Sequence, residues 1–258
     1  MNISVFDVIG PIMIGPSSSH TAGAARLARV AAQICAKPFF KVAFGLSGSF
    51  AKTGAGHGTD RALLAGAMGF LQDDERIVEA YDIAQKKNLQ YRFYEVALNE
   101  KYENSCKITF YHADGTKSII VGSSIGGGRI IVSKINGMPT ELSAERPTII
   151  INQLDKKGVI SSITQLLTWQ GINIAVMRLS REGRGQKATT IIETDDLVPT
   201  HLKDLLIQLD GVKDALVLNF NNSIDTLSRD TYGLDEEILI GTSDSDEEEG
   251  VMEASSDV

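Results

Sequence analysis

The feature that most constrains this chain is the cadence of its residues 148–220. Thr148–Gln153 is a β-branched run and Gly158–Gln170 has helical spacing. Ile172–Ser180 and Lys187–Glu193 alternate like strands around a polar, Gly-bearing turn. Pro199–Leu209 is helical again and Val212–Phe220 extended. That order, βαββαβ, is the split-βαβ arrangement. The short link Asp155-Lys156-Lys157-Gly158 suits a tight strand-to-helix turn. Upstream, Ala22–Cys35, Arg61–Phe70 and Asp74–Lys87 are predicted helices, the last with Ile77, Val78, Tyr81 and Ala84 on one face. Phe39–Leu46, Gln90–Leu98, Lys107–Tyr111 and Arg129–Ile135 are predicted strands, and Asp114-Gly115 marks a hairpin into Thr116–Val121. Asn136–Arg146, with Gly, Pro and charges, is expected to be an interdomain linker that few contacts cross. The expectation is an α+β chain with one domain over residues 1–145 and a second over 148–220.

Composition limits the function classes. With 258 residues, 43% hydrophobic and 22% charged, the chain has ordinary globular usage and room for two modest domains. No apolar run approaches the roughly 20 residues of a membrane helix, so no membrane role is expected and the cytoplasm is the expected location. The net charge of −8 is unevenly placed: residues 234–258 hold ten Asp and Glu and no Lys or Arg, leaving 25 basic and 23 acidic residues before them. That terminal stretch has the composition of a disordered acidic tail. No basic patch with interleaved aromatics is present, so nucleic acid is not an expected partner. Cys35 and Cys106 are the two cysteines, far apart and in apolar surroundings, which encodes neither a disulfide framework nor a close-spaced metal site.

Two segments carry chemistry. Gly15-Pro16-Ser17-Ser18-Ser19-His20-Thr21 puts four hydroxyls and an imidazole at the mouth of the first helix. A helix N-terminus presents unpaired N–H groups and partial positive charge, a seat for an anion; one Ser there could equally be a simple cap. The second segment, Gly45 to Gly58, holds five of the chain's 24 glycines in fourteen residues, with His57 between two of them and Thr59 and Asp60 following. Such glycine density suits sharp turns or close approach to a ligand, and the spacing fits no nucleotide-binding fingerprint. His112, in a strand-like run, and His201, at a helix start, are expected to be structural. Ser124, Gly126, Gly127, Gly128 and Arg129 suit either a site wall or a Gly-rich hairpin.

The run Ser4–Gly23, ending in the Ser-Ser-Ser-His-Thr-Ala-Gly stretch, followed by Gly54-Ala-Gly-His57-Gly-Thr-Asp60-Arg-Ala and by Ser123-Ser-Ile-Gly-Gly-Gly-Arg129, resembles the beta subunit of the bacterial iron–sulfur L-serine dehydratases. The resemblance runs to about Phe220 and implies an allosteric-substrate-binding-like domain followed by an ACT domain of ferredoxin-like βαββαβ fold. It implies an L-serine ammonia-lyase, producing pyruvate and ammonia, whose separate alpha subunit carries a [4Fe-4S] cluster. By this resemblance His20 and His57 would be catalytic, and Ser17, Ser18, Ser19, Thr21, Gly58, Thr59 and Asp60 would bind substrate. Asp155, Gly158 and Asn173 would form an ACT ligand site, and the ACT domain would self-associate. No metal ligands are assigned to this chain. The alternative with the same fold is a non-catalytic, serine-sensing regulatory subunit. A Ser/His hydrolase is disfavoured, because adjacent Ser and His seldom reach one another productively and no nucleophile-elbow spacing is present.

Overall fold

In the computed structural model of the chain, residues 15–220 are described. The beginning of the Ser4–Gly23 run and the acidic stretch 234–258 therefore lie outside the described residues. Helix α1 (Gly23–Cys35) follows the Ser-His segment and is buried along most of its surface, with Ala24, Ala25, Leu27, Ala28, Ala31 and Ala32 fully enclosed. A helix enclosed along this much of its surface must be covered on several sides, with Arg26 and Arg29 on the less buried stripe. One side lies on a six-stranded sheet built from β1 (Lys41–Gly48), β2 (Gln90–Glu95), β3 (Asn104–Tyr111), β4 (Lys117–Gly126), β5 (Arg129–Ile135) and β6 (Met138–Leu142), in the order β2-β1-β3-β4-β5-β6. There a Cβ on Gly122 would fall 2.7 Å from Leu27 Cδ1. Only β1 and β2 run parallel, and a parallel pair needs a long crossover. That crossover holds α2 (Ser49–Thr53), α3 (Thr59–Ala67) and α4 (Ala80–Lys86). Helix α3 meets α1 backbone to backbone, since a Cβ on Gly66 would sit 2.1 Å from the Ala25 carbonyl oxygen. Alanines and glycine are what permit so close a crossing.

The second sheet contains β7 (Thr148–Leu154), β8 (Ile174–Arg181), β9 (Lys187–Thr194) and β10 (Val212–Leu218), antiparallel throughout in the order β10-β7-β9-β8. Helices α5 (Val159–Trp169) and α6 (Leu202–Ile207) complete the expected βαββαβ order. Ile149, Ile151 and Ile192 pack with Ile163, Leu167, Leu202 and Leu206 on the helix side. Ile150, Ile191 and Leu218 belong instead to the core of the first sheet. This two-sided burial explains why β7 reads as an unbroken Thr-Ile-Ile-Ile run rather than an alternation.

Several expectations need correction. The proposed linker Asn136–Arg146 is not a free connection. Met138–Leu142 pairs with β5 as an edge strand, Leu142 and Ala144 are fully buried, and Arg26 donates to the Ala144 carbonyl at 3.0 Å. Contacts also cross freely: Ser180 Oγ donates to the Pro139 carbonyl at 2.6 Å, and Arg178 faces Glu141 at 3.8 Å. The helix predicted over Asp74–Lys87 is a 3₁₀ segment, Glu75–Glu79, followed by α4, and Val78 is 57% exposed instead of sharing the apolar face. The tighter pitch rotates Val78 out of the face that a 3.6-residue period assigns to it. The strand predicted over Gln90–Leu98 ends at Glu95. Gly126 pairs with Arg129 across Gly127 and Gly128, whose φ values of 61° and 71° make the two-residue hairpin turn that a right-twisted ribbon prefers.

Candidate active site

Two loops converge in front of β1. The first is the Ser-His segment, in which Ser18–Ala22 forms a wide π-turn before α1. Ser17 governs it: its Oγ accepts from the His20 amide at 3.2 Å, and its carbonyl accepts from the Thr21 amide at 2.9 Å and the Ala22 amide at 3.4 Å. The His20, Thr21 and Ala22 amides are thus already bonded, and the Ser18 and Ser19 amides, which have no such bond among the described residues, remain with the hydroxyls as the donors of this helix terminus. π-turns inserted into helices recur at functional sites because they redirect side chains.

The second loop begins at Gly48. Its φ of 61° is one that glycine adopts readily, and a Cβ there would lie 2.2 Å from the Glu103 carbonyl. The kink starts α2, and one turn of that helix puts Ser49 and Thr53 on the same face, four residues apart. His20 Nε2 lies 3.0 Å from Ser49 Oγ and 3.1 Å from Thr53 Oγ1, while its Nδ1 lies 3.2 Å from Ser19 Oγ. His57 Nδ1 lies 2.9 Å from the Thr53 carbonyl oxygen, and Thr21 Oγ1 donates to the His57 carbonyl at 3.0 Å. The two imidazoles are 4.9 Å apart between centroids, with planes inclined by 32°. Phe50, fully buried, meets the His20 ring edge-on at 5.5 Å.

Burial pushes the His20 pKa below the ordinary imidazole value. The neighbouring His57 pushes in the same direction, and the bond to Ser49 opposes them. Two imidazoles this close disfavour simultaneous protonation. The pair can therefore hold or receive a single proton among hydroxyls whose chemistry suits a carboxylate or hydroxyl group.

The other predicted residues are placed as follows. Ser17, Ser19, His20, Thr21 and His57 come together directly. Ser18 contributes its carbonyl to the Gly23 amide. Gly58, at φ 67°, is the bend that separates His57 from α3. Thr59 is fully buried with an unpaired Oγ1, and its amide donates to the Gly54 carbonyl at 3.0 Å. Asp60 is held by the Tyr81 hydroxyl and accepts from the Arg61 amide at 2.9 Å, and neither bond is to a histidine. Burial, and after it the bond to the Asp60 carboxylate, pushes the Tyr81 pKa up. Ser124 backs the start of α1, where a Cβ on Gly23 would clash with its Oγ.

Ser49 and Thr53 were not singled out from the sequence; their four-residue spacing inside the Gly-rich stretch was the available signal. His112 is buried, as expected of a structural residue, whereas His201 is exposed rather than part of a core. His112 is 3% exposed, bonded to Pro38 O at 2.7 Å and Ser118 Oγ at 2.9 Å, and His201 Nε2 lies 3.3 Å from Gln170 Oε1.

The trio expected in the second sheet does not assemble within one chain. Asp155 pairs with Arg181 at 2.8 Å beside the β8–β9 turn, whereas Asn173 donates to Asp195 at 2.5 Å. They occupy opposite ends of β8, separated by roughly 25 Å at about 3.3 Å per residue. Gly158 caps α5 at φ 90° with open space around it.

Among the described residues no group of three or more His, Cys, Asp or Glu could hold a metal ion. Cys106 is fully buried with its thiol pKa pushed up by burial, and the Cys35 thiol is pushed up for the same reason. Neutral, enclosed thiols are poor ligands, so the described residues do not fit an iron–sulfur cluster. Among the same residues no helix is long and apolar enough to cross a membrane.

The profile of the family described as "Serine dehydratase beta chain" matches residues 4–92, which contain both converging loops. The L-serine dehydratase beta chain of Peptoniphilus asaccharolyticus is 40% identical over 213 residues, covering 82% of this chain and 96% of that one. This chain belongs to the L-serine dehydratase beta chain family. The probable L-serine dehydratase beta chain of Bacillus subtilis is likewise 40% identical, over 81% of this chain and 94% of its own length. The D-3-phosphoglycerate dehydrogenase of Methanocaldococcus jannaschii is 29% identical over 62% of this chain and 30% of its own. The latter likeness is consistent with a substrate-binding-like unit joined to an ACT-like sheet, the architecture described above.

Proposed function

We propose that this chain is the beta subunit of a two-chain L-serine ammonia-lyase and completes an active site on an alpha subunit that carries the [4Fe-4S] cluster. The observation that carries the reading is the convergence of His20 and His57, from the two most distinctive sequence segments, into one pair ringed by Ser17, Ser19, Thr21, Ser49 and Thr53.

The chemistry asks for such a pair. Serine must lose a weakly acidic α-proton and an unactivated β-hydroxyl, so elimination needs a base near Cα and a Lewis acid at the hydroxyl. The cluster on the partner would supply that Lewis acid. This chain's part is to bind the carboxylate through the hydroxyls of Ser17 and Ser18, with Ser19 and Thr21 holding His20 and His57 in place, and to receive the α-proton on an imidazole. The C–H electron pair then becomes the Cα–Cβ double bond as hydroxide leaves, and the resulting enamine takes up water to give pyruvate and ammonia. Gly58 keeps the His57 loop open, while Thr59 and Asp60 brace it.

In this reading residues 1–145 form the catalytic domain and 148–220 an ACT domain that self-associates, with Asp155, Gly158 and Asn173 able to share a ligand only across two copies. The complex works in the cytoplasm on amino-acid catabolism. Anaerobic mixing of this chain with the alpha subunit tests the proposal: pyruvate should form from L-serine with the mixture and with neither chain alone. An alpha subunit that makes pyruvate without this chain, with this chain binding serine and only changing that rate, would favour the sensory alternative.

A further inference from the structure

We infer that Thr53 holds the two site imidazoles in opposite tautomers, its carbonyl fixing His57 with a bare Nε2 and its hydroxyl fixing His20 with a protonated Nε2, so that His57 is the proton acceptor. This assignment of roles rests on the functional reading above; the tautomers themselves rest on hydrogen-bond geometry alone.

A carbonyl oxygen can only accept. The 2.9 Å contact between His57 Nδ1 and Thr53 O therefore requires the proton on Nδ1, which leaves the Nε2 lone pair free in the neutral ring. No described protein group is bonded to that Nε2. For His20 the decisive group is the Thr53 hydroxyl. Its one proton goes back along α2 to the Ser49 carbonyl at 2.9 Å, the usual arrangement of a helical threonine. The oxygen can then only accept from His20 Nε2 at 3.1 Å, so the His20 proton lies on Nε2, shared with Ser49 Oγ at 3.0 Å. His20 Nδ1 accepts from Ser19 Oγ at 3.2 Å, and Ser19 in turn lies 3.4 Å from Ser17 Oγ. In this arrangement each proton has an acceptor, and the Ser49 hydroxyl, which accepts from His20, lies 3.3 Å from Thr53 Oγ1.

The consequence is a division of labour. His57 offers a basic nitrogen with no competing partner, as a base needs before substrate arrives. His20 is closed on both nitrogens by Ser19, Ser49 and Thr53, and it is partly buried. It serves as a fixed dipole that holds the Ser19 hydroxyl in place and resists becoming a second cation beside a protonated His57. Thr53 acts through the histidines and is a positioning residue.

Long-range ¹H–¹⁵N correlation of the two imidazoles in the isolated, full-length chain, at about pH 8, reads the tautomers without partner or substrate. The expected spectrum shows His57 protonated at Nδ1 and His20 protonated at Nε2. Thr53→Val should move His20 toward a tautomer mixture and leave His57 unchanged, and Thr53→Ser should restore the wild-type pattern. Should Thr53→Val fail to fold, Ser49→Ala provides the second arm, since the Thr53 bonds alone should keep His20 Nε2 protonated. A His57 ring protonated at Nε2 would overturn the inference. So would a His20 pattern unmoved by Thr53→Val, or one lost in Ser49→Ala. In the assembled complex, His57→Gln should lower turnover on the order of 100-fold and His20→Gln about 10-fold or less; the reverse order would overturn the assignment of the base. Correct tautomers in a chain that never yields an active complex would instead remove the functional reading and leave the hydrogen-bond assignment standing.

Discussion

The loops around His57 and the turn around Asp155 look alike in sequence, each a Gly-bearing polar segment leading into a helix, yet the fold uses them differently. In the first, a wide turn and a glycine kink bring side chains from residues 17–21, 49–53 and 57 to one place, with an imidazole nitrogen left free. In the second, the carboxylate is engaged by Arg181, and its presumed companion Asn173 is engaged by Asp195 at the far end of the sheet. Polar density in sequence thus becomes a site where the topology converges it and leaves a group unengaged. Where each group already has its own neighbour, one chain offers only a well-satisfied turn.

The sharpest way to break this contrast is to remove one group from each side. His57→Ala should reduce pyruvate formation by the reconstituted enzyme on the order of 100-fold or more, with little change in the thermal midpoint of the isolated chain. Asp155→Ala should leave basal turnover within about twofold, as expected for a surface ion pair of modest worth. Equal losses in the two variants would erase the distinction.

A structural histidine sharpens it further. His112→Ala removes a buried ring bonded to Pro38 and Ser118 and should cost about 2–3 kcal/mol in urea unfolding while sparing turnover of the folded fraction. Gly66→Ala belongs to the same class, because its methyl would meet the Ala25 carbonyl and force α1 and α3 apart. A loss of about 1–3 kcal/mol is expected, again without a specific effect on chemistry.

The smallest effect concerns pH. His20 has a folded pKa below its unfolded value of about 6.5. The unfolded chain therefore takes up a proton first. Stability tied to this ring is present above about pH 6.5 and declines as pH falls through that value toward the folded pKa, levelling below it. Urea midpoints measured at about pH 8 and about pH 5.5 should differ less in His20→Gln than in the wild type. An unchanged difference would mean that other groups set the slope.

Much of this was legible before any coordinates. The βαββαβ order survived because each element there carries its own period, and both histidines were marked by the company of Ser17–Thr21 and of the glycines. What could not be read is instructive. Ser49 and Thr53 become ligands of His20 only because Gly48 turns the chain, and a backbone φ leaves little trace in residue type. Asn136–Arg146 looked like a linker because Gly137, Pro139 and charges mark a loop, yet Pro139 is tolerated on an edge strand where its missing N–H is not needed. The second face of β7 was hidden for a related reason: three isoleucines in a row suit one buried face or two, and only Ile150 against the first core decides between them.

The most direct test of the account is reconstitution with the partner. Purified chain and alpha subunit, mixed anaerobically with L-serine, should produce pyruvate, while either alone does not and this chain alone stays colourless after exposure to iron and sulfide. The His57→Ala chain should form a complex of the same size and remain inactive. Full activity in that complex would contradict the claim that this chain completes the active site through the histidine pair.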